Sequence, residues 1–218
     1  MIQIAIDGPA SSGKSTVAKI IAEKLNFLYV DTGAMYRALT YYCLEKKINL
    51  NDEESVMKLL NQMNYEVKVV EEKLHYFVDQ QDVSEQIRKP DVAKNVSKVA
   101  SYPKIRKYLT ELQQEIARKN NVVMDGRDIG TVVLPQANFK FFLTATPEVR
   151  ANRRFKENQN KGISSDLSEI IQAIKKRDEI DSHRKIAPLI PANDAILVDS
   201  SNMTIEQVVT NLINRIQG

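Results

Sequence analysis

The chain of 218 residues contains one cysteine, two histidines and no tryptophan. A single cysteine, Cys43, excludes an internal disulfide and a zinc site built from cysteines. The histidines, His75 and His183, lie far apart in the sequence, so metal chemistry and a Ser-His-Asp mechanism have little support. We expect His75 to be structural and look for chemistry in other polar side chains.

Long hydrophobic runs and a strong charge of one sign are also missing. No apolar run approaches the roughly 18 residues of a membrane-spanning helix, and the N-terminus lacks a basic-then-apolar signal. The 31 basic and 28 acidic residues give a net charge of +3, too balanced for nucleic-acid binding to be the main activity. We therefore expect a cytoplasmic, monomeric protein that binds neither membranes nor nucleic acids, with one domain over residues 1–218.

The most specific pattern lies at the start of the chain. A short apolar run ending at Asp7 is typical of a buried strand, and apolar residues after Lys14 recur at helical spacing. The segment between and just after them contains the phosphate-binding pattern G-x-x-x-x-G-K-[ST]. Its residues are Gly8, Pro9, Ala10, Ser11, Ser12, Gly13, Lys14, Ser15 and Thr16. The order of strand, glycine loop and helix predicts a site for a nucleoside triphosphate, with ATP as the expected phosphoryl donor.

The chemistry of this loop follows from its residue types. Gly8 and Gly13 permit backbone angles that let the loop N–H groups converge on an anion. The helix that follows adds about half a positive charge at its N-terminus. Lys14 can then contact the β- and γ-phosphates, and the Ser15 hydroxyl can bind Mg²⁺.

Further strand and helix patterns alternate along the chain. Strands are expected at residues 25–30, 122–124, 139–145 and 195–198, each followed by a helical pattern. Five such units predict an α/β fold with a parallel sheet covered by helices on both faces. Residues 64–86 differ, because alternating β-type segments flank a polar turn and predict a small antiparallel insertion.

Charged side chains collect after the strands and on the later helices. Arg37 follows the second strand and Asp125 ends the third, where an open α/β sheet has its ligand crevice. Arg150, Arg153 and Arg154 share one face of a helix that leads into a polar loop at 158–165. This segment predicts a mobile lid over phosphates at about 152–166. A solvated basic face is the alternative.

The next helix, expected from Asp166 to about Arg184 with Ser165 as its cap, has an apolar stripe that becomes charged. Continuing the stripe gives Arg177, Asp181 and Arg184. Charges on an inward face are costly unless they are paired or face a ligand, so a cleft is the simplest interpretation. A purely structural Arg177–Asp181 pair is the alternative.

Four segments together resemble bacterial cytidylate kinases. They are the glycine loop, residues 31–37 (DTGAMYR), residues 125–131 (DGRDIGT) and residues 177–189 (RDEIDSHR, followed by APL at 187–189). The glycine loop is common to very many NTPases, so the later segments carry the specificity. The resemblance runs over nearly the whole chain. It implies a P-loop kinase core with sheet order 2-3-1-4-5, a monophosphate-binding lobe and a lid, and transfer of the ATP γ-phosphate to CMP or dCMP.

The resemblance also implies roles for individual residues. Ser97, Arg106 and Asp128 would read the cytosine. Arg37 and Arg127 would hold the acceptor phosphate, and Arg177 and Asp181 would contact the sugar. Arg154, Arg177 and Arg184 would neutralise the transferring group, and with Lys14 and Arg127 they make up the expected catalytic residues. Thr32 stands where relatives often carry serine and keeps the hydroxyl. Ser15-Thr16 stands where some relatives have Gly-Thr, which leaves open which hydroxyl meets the metal.

The residue chemistry agrees with a phosphate acceptor. A phosphate monoester has its second pKa near 6, so at pH 7 it is largely a dianion that needs no strong base. A P-loop kinase acting on UMP, or on a hydroxyl group with Asp31 or Asp125 as base, is the alternative. A GTPase switch is another, but its guanine motif would fall at residues 160–163, which lack the required aspartate. An RNA-binding domain is remote.

Overall fold

The structure, a computed structural model, describes residues 1–70 and 73–218. The first elements along the chain are β1 (Gln3–Asp7), α1 (Lys14–Leu25), β2 (Leu28–Asp31), α2 (Thr32–Glu45), α3 (Glu53–Gln62), β3 (Tyr65–Val70), β4 (Lys73–Val78), β5 (Gln81–Asp82), α4 (Pro90–Val99) and α5 (Pro103–Lys119). The later elements are β6 (Val122–Gly126), β7 (Phe139–Thr144), α6 (Pro147–Asn160), α7 (Leu167–His183), β8 (Ile196–Asp199) and α8 (Ile205–Gln217). A 3₁₀ turn covers Gln86–Arg88 and a π-helical turn covers Ile129–Val133.

The chain divides into two compact units. The first comprises Met1–Asp31 and Gln113–Gly218, and the second comprises Thr32–Leu112. Within the described part of the chain, no helix is both long and apolar enough to cross a membrane.

The first unit contains the predicted five-stranded parallel sheet. Its strand order is β2-β6-β1-β7-β8. The order expected above, 2-3-1-4-5, counts the parallel strands alone, whereas the present labels also count β3, β4 and β5. Strand β1 is central, with Asp7 opposite Gly126 of β6 and Phe142 of β7. The glycine loop therefore leaves the sheet next to the carboxyl end of β6.

Both faces of this sheet are covered, as the apolar strands predicted. Ile4 and Ile6 of β1 point into a core shared with Val17 and Ile21 of α1 and with Leu212 of α8. The intervening Ala5 points to the other face, into a core that contains Met124, Ile129 and Ala117. Alternation along one strand thus supplies apolar side chains to two layers of helix, because successive side chains point to opposite faces.

The second unit is built around its own apolar core. Helices α2, α3 and α4 contribute Met35, Leu39, Val56, Leu60 and Val96 to this core. Strands β3 and β4 pair antiparallel, as the pattern at 64–86 predicted, and β5 adds a short third strand. The polar turn expected there falls partly on residues 71 and 72, which lie outside the described residues.

Several boundaries differ from the sequence-based expectations. Helix α1 continues to Leu25 and ends at Asn26 in the left-handed conformation, so β2 begins at Leu28 rather than at Leu25. The N-cap of α7 is Asp166, whose carboxylate accepts from Glu169 N at 2.9 Å, and the prediction of Ser165 was wrong. Aspartate at this position also complements the helix dipole. Helix α6 extends to Asn160, so the polar loop starts later than expected.

Candidate active site

The glycine loop is held tightly against the sheet. Gly8 has φ 152° and Gly13 has φ 91°, both in the region that favours glycine. A Cβ atom added to Gly8 would lie 2.1 Å from the carbonyl oxygen of Leu143 in β7. No side chain fits at that distance, so the close passage of the loop over β7 requires glycine at residue 8.

Lys14, the first residue of α1, is buried within this loop. Its ammonium donates to Pro9 O at 3.3 Å, and only 7% of the residue is exposed. Burial and the Arg127 and Arg177 guanidinium groups lower the pKa of Lys14 to about 7, against the opposing effect of Asp125. Cations concentrated at a buried position are costly on their own, and an anion would relieve that cost.

Ser15 and Asp125 form the oxygen-rich side of the loop. The Ser15 hydroxyl donates to Asp125 Oδ2 at 2.7 Å, and the Tyr29 hydroxyl donates to Oδ1 at 2.8 Å. Burial and then the neighbouring Asp31 raise the pKa of Asp125. A hydroxyl and a carboxylate at the phosphate loop suit Mg²⁺, which is usually held by one or two carboxylates together with substrate phosphates. Among the described residues, there is no cluster of three or more histidine, cysteine or acidic residues that could hold a metal ion.

The sequence-predicted residues after β6 and on α7 meet in ion pairs. Arg127 Nε donates to Asp181 Oδ2 at 3.0 Å, whereas Arg177 Nε lies 3.9 Å from the same oxygen. Buried Asp181 is therefore held mainly by Arg127, and the pair with Arg177, the alternative considered above, is the longer contact. Arg184, the C-cap of α7, donates from Nη2 to Asp128 Oδ1 at 3.4 Å, so α7 and its C-cap contact the segment after β6 at two points.

Asp7 is a buried residue that the sequence analysis did not identify as part of the site. Its carboxylate accepts from Ile129 N at 2.7 Å and from Gly130 N at 2.8 Å, at the start of the π-helical turn. Burial raises the pKa of Asp7 to about 6, while these two N–H donors lower it. The contact fixes the turn that directly follows Arg127 and Asp128. The available signal was a charged residue at the end of an otherwise apolar strand.

The arginines of α6 do not form one common face toward phosphates. Arg150 is buried and donates to Ala10 O at 3.2 Å. Arg153 Nη1 donates to Ser12 O at 3.2 Å, and its Nη2 donates to Ser200 O at 2.6 Å. Only Arg154 is exposed, and it pairs with Glu157 at 3.3 Å. Arg150 and Arg153 thus donate to the backbone of the glycine loop, and only Arg154 of these three has a solvated position.

The remaining predicted residues lie in the second unit. Thr32 and Arg37 are on α2, Ser97 is on α4 and Arg106 is on α5. Arg106 is buried, donates from Nη1 to Ala100 O at 3.1 Å, and lies 5.6 Å from the centre of the Tyr36 ring. This guanidinium is therefore held by the C-cap of α4 and by the Tyr36 ring of α2. Tyr36 was not singled out from the sequence, because an aromatic residue on an apolar helix face gives no functional signal.

Comparison with known proteins places the whole chain in one family. The sequence model of the family described as cytidylate kinase matches residues 4–218. The cytidylate kinase of Clostridioides difficile is 48% identical over 213 residues, which is 98% of this chain and 97% of that protein. The cytidylate kinase of Oceanobacillus iheyensis is 53% identical over 215 residues, covering 99% of this chain and 94% of that protein.

Structural similarity supports the fold independently. A crystal structure of an uncharacterized protein from Eubacterium ventriosum superimposes with a TM-score of 0.52 at 14% identity, covering 100% of this chain and 99% of that one. Likeness at that level of identity concerns the fold alone. The sequence matches have much higher identity over nearly the whole chain, and they show that the chain belongs to the cytidylate kinase family.

Proposed function

We propose that this protein transfers the γ-phosphate of ATP to CMP or dCMP, giving ADP and CDP or dCDP. The family membership supports this reaction. The observation that carries it is the burial of Lys14 beside Arg127 and Arg177. Such a concentration of positive charge is suited to neutralising two phosphate groups as they are brought together.

The reaction requires positioning and charge neutralisation more than a base. An oxygen of the acceptor phosphate attacks the γ-phosphorus, and the bond from that phosphorus to the β–γ bridging oxygen breaks. The acceptor is already a dianion near pH 7, so no proton has to be removed from it first. We assign the neutralisation of the transferring group to Lys14, Arg127, Arg154, Arg177 and Arg184.

The donor nucleotide is assigned to the glycine loop. Residues 8–16 would hold its phosphates through backbone N–H groups and the N-terminus of α1. Ser15 and Asp125 would hold Mg²⁺, which supplies further neutralisation of the phosphates when bound. The hydrogen bond between these two side chains supports their assignment to one site.

We assign the acceptor nucleotide to eight side chains. Asp128 would accept from the cytosine 4-amino group, which uracil lacks, with Ser97 and Arg106 as the other base-reading residues. Arg37 and Arg127 would hold the acceptor phosphate, with the Thr32 hydroxyl as a further acceptor-binding group, and Arg177 and Asp181 would contact the sugar.

We further propose that residues 64–86 belong to a monophosphate-binding lobe of a single domain and that residues 152–166 act as a lid.

A panel of acceptors tests this proposal directly. ADP release from ATP is measured with CMP, dCMP, UMP, AMP, cytidine and shikimate as acceptors, and GTP replaces ATP in a parallel series. We expect turnover with CMP and dCMP to exceed all the others. Turnover of cytidine without CMP, a preference for UMP, or GTP hydrolysis that is independent of any acceptor would contradict it. We also propose that the protein is a cytoplasmic monomer that acts on free nucleotides. Sedimentation at the protein concentrations used in the assay tests whether it is a monomer.

A further inference from the structure

One buried guanidinium, that of Arg150, connects three parts of the first unit. Its Nε donates to Ala145 O, just after β7, at 2.8 Å. Its Nη1 donates to Ala10 O in the glycine loop at 3.2 Å. Nη1 and Nη2 also donate to the two carboxylate oxygens of Asp178 on α7, at 3.1 and 2.5 Å. The glycine loop, the end of β7 and α7 are thus joined through a single side chain.

The geometry of this contact restricts how α7 can move. A bidentate pair between a planar guanidinium and a carboxylate fixes orientation as well as distance. Asp178 directly follows Arg177, and Asp181 lies one turn further on, where it contacts Arg127. Because a helix is rigid over one turn, fixing Asp178 also fixes the direction in which Arg177 leaves α7.

We propose that Arg150 and Asp178 are positioning residues that set the place of α7, and of the Arg177 guanidinium, relative to the glycine loop. This inference rests on the proposed function, because the aligned groups are those assigned to the transferring phosphate. Neither residue has to touch a nucleotide to act in this way. A displacement of about 1 Å at a reacting centre can reduce a rate on the order of 100-fold.

A second ion pair between the same two helices offers a matched control. Lys175 Nζ on α7 lies 3.1 Å from Glu148 Oε1 on α6, and both side chains are at least half exposed. This pair joins α6 to α7 at the surface and has no contact with the glycine loop among the described residues. An effect of helix pairing alone would therefore be seen in both pairs, whereas positioning would be confined to Arg150 and Asp178.

The test compares Asp178→Asn with Glu148→Gln in the ATP and CMP assay. Asparagine keeps the shape of residue 178 but removes its charge, while Arg150 retains its bond to Ala10 O. We expect Asp178→Asn to lower kcat by about 10- to 100-fold and to leave the KM for ATP within about twofold. Asp178→Glu should recover part of the kcat. Glu148→Gln should change neither constant.

The outcomes separate this inference from the proposed function. A wild-type protein without CMP kinase activity would contradict the proposed function. An active wild type whose kcat is unaffected by Asp178→Asn, or affected equally by Glu148→Gln, would overturn only the positioning role. If Asp178→Asn does not fold, the double variant Arg150→Met with Asp178→Leu removes both charges. A folded double variant with a low kcat supports the inference, and one with a wild-type kcat overturns it.

Discussion

The arginines of α6 have different roles because they differ in burial. Arg150 is held by backbone carbonyls and a carboxylate, whereas Arg154, four residues later, lies 44% exposed beside Glu157. A buried charge must be compensated by its surroundings, while an exposed one is hydrated and free to meet a ligand. Because Lys14 and Asp7 are buried, substituting either residue should change activity or stability in a defined direction.

Lys14→Met should separate activity from stability. The methionine side chain removes the ammonium that we assign to the phosphates, so we expect turnover to fall at least about 1,000-fold. The midpoint of thermal unfolding of the free protein should not fall, because burial disfavours the charged form of Lys14. Calorimetry and the ADP-release assay check both statements. Retention of more than about a tenth of the activity would contradict the role of Lys14.

Asp7→Asn should change the pH dependence of stability. The folded-state pKa of Asp7, about 6, lies above the ordinary value near 4, so between these values the folded state binds more protons than the unfolded state. Its contribution is therefore fully present below about pH 4 and is lost as the pH rises through 6. Relative to wild type, Asp7→Asn should gain up to about 3 kcal/mol of unfolding free energy between pH 4 and pH 7.

Urea unfolding of both proteins at several pH values measures that difference, because most other titrating groups cancel in the comparison. A constant difference, or one that changes in favour of the wild type as the pH rises, would refute the assignment of Asp7.

Asp128→Asn should alter the choice of acceptor. An asparagine amide can donate to the uracil 4-oxygen, whereas the carboxylate only accepts. We expect the ratio of kcat/KM for CMP to that for UMP to fall at least about tenfold, with the KM for ATP little changed. An unchanged ratio would remove Asp128 from base reading.

At the scale of elements, the path of the glycine loop depends on its contact with β7. Gly8→Ala places a methyl group 2.1 Å from Leu143 O, so either the loop or the strand must shift. We expect a loss of at least about 3 kcal/mol of unfolding free energy. Gly162→Ala is the matched control, because Gly162 also has a positive φ, 67°, but nothing lies within 4 Å of the added atom. It should cost only about 1 kcal/mol, and equal losses in the two variants would show that the contact is unimportant.

At the scale of the whole molecule, sequence patterns predicted the elements better than their contacts. The parallel sheet and the glycine loop follow from periodicity and local residue chemistry, and the structure contains them. The predicted N-cap of α7 was wrong by one residue, because Ser165 and Asp166 are both good capping residues and only the backbone conformation distinguishes them.

Contacts between distant segments carried no local signal. Arg150 and Arg153 have the helical spacing of a solvated basic face, and only the folded structure brings them against the carbonyls of the glycine loop. Asp178 lies one helical turn after the buried Ile174 of α7, but nothing in the sequence indicates which residue it pairs with. Its partner is 28 positions away, a separation at which periodicity gives no information.

The central place of β1 has a consequence for how the protein is made. Its two neighbours, β6 and β7, follow the entire second unit in the chain. During translation, the apolar strand that ends at Asp7 therefore waits without its partners until most of the polypeptide has left the ribosome. Pairing over such long sequence separations is slow and leaves aggregation-prone apolar segments exposed. Nascent chains released before β7 emerges should accordingly be recognised by chaperones and proteases, and unable to capture a nucleotide.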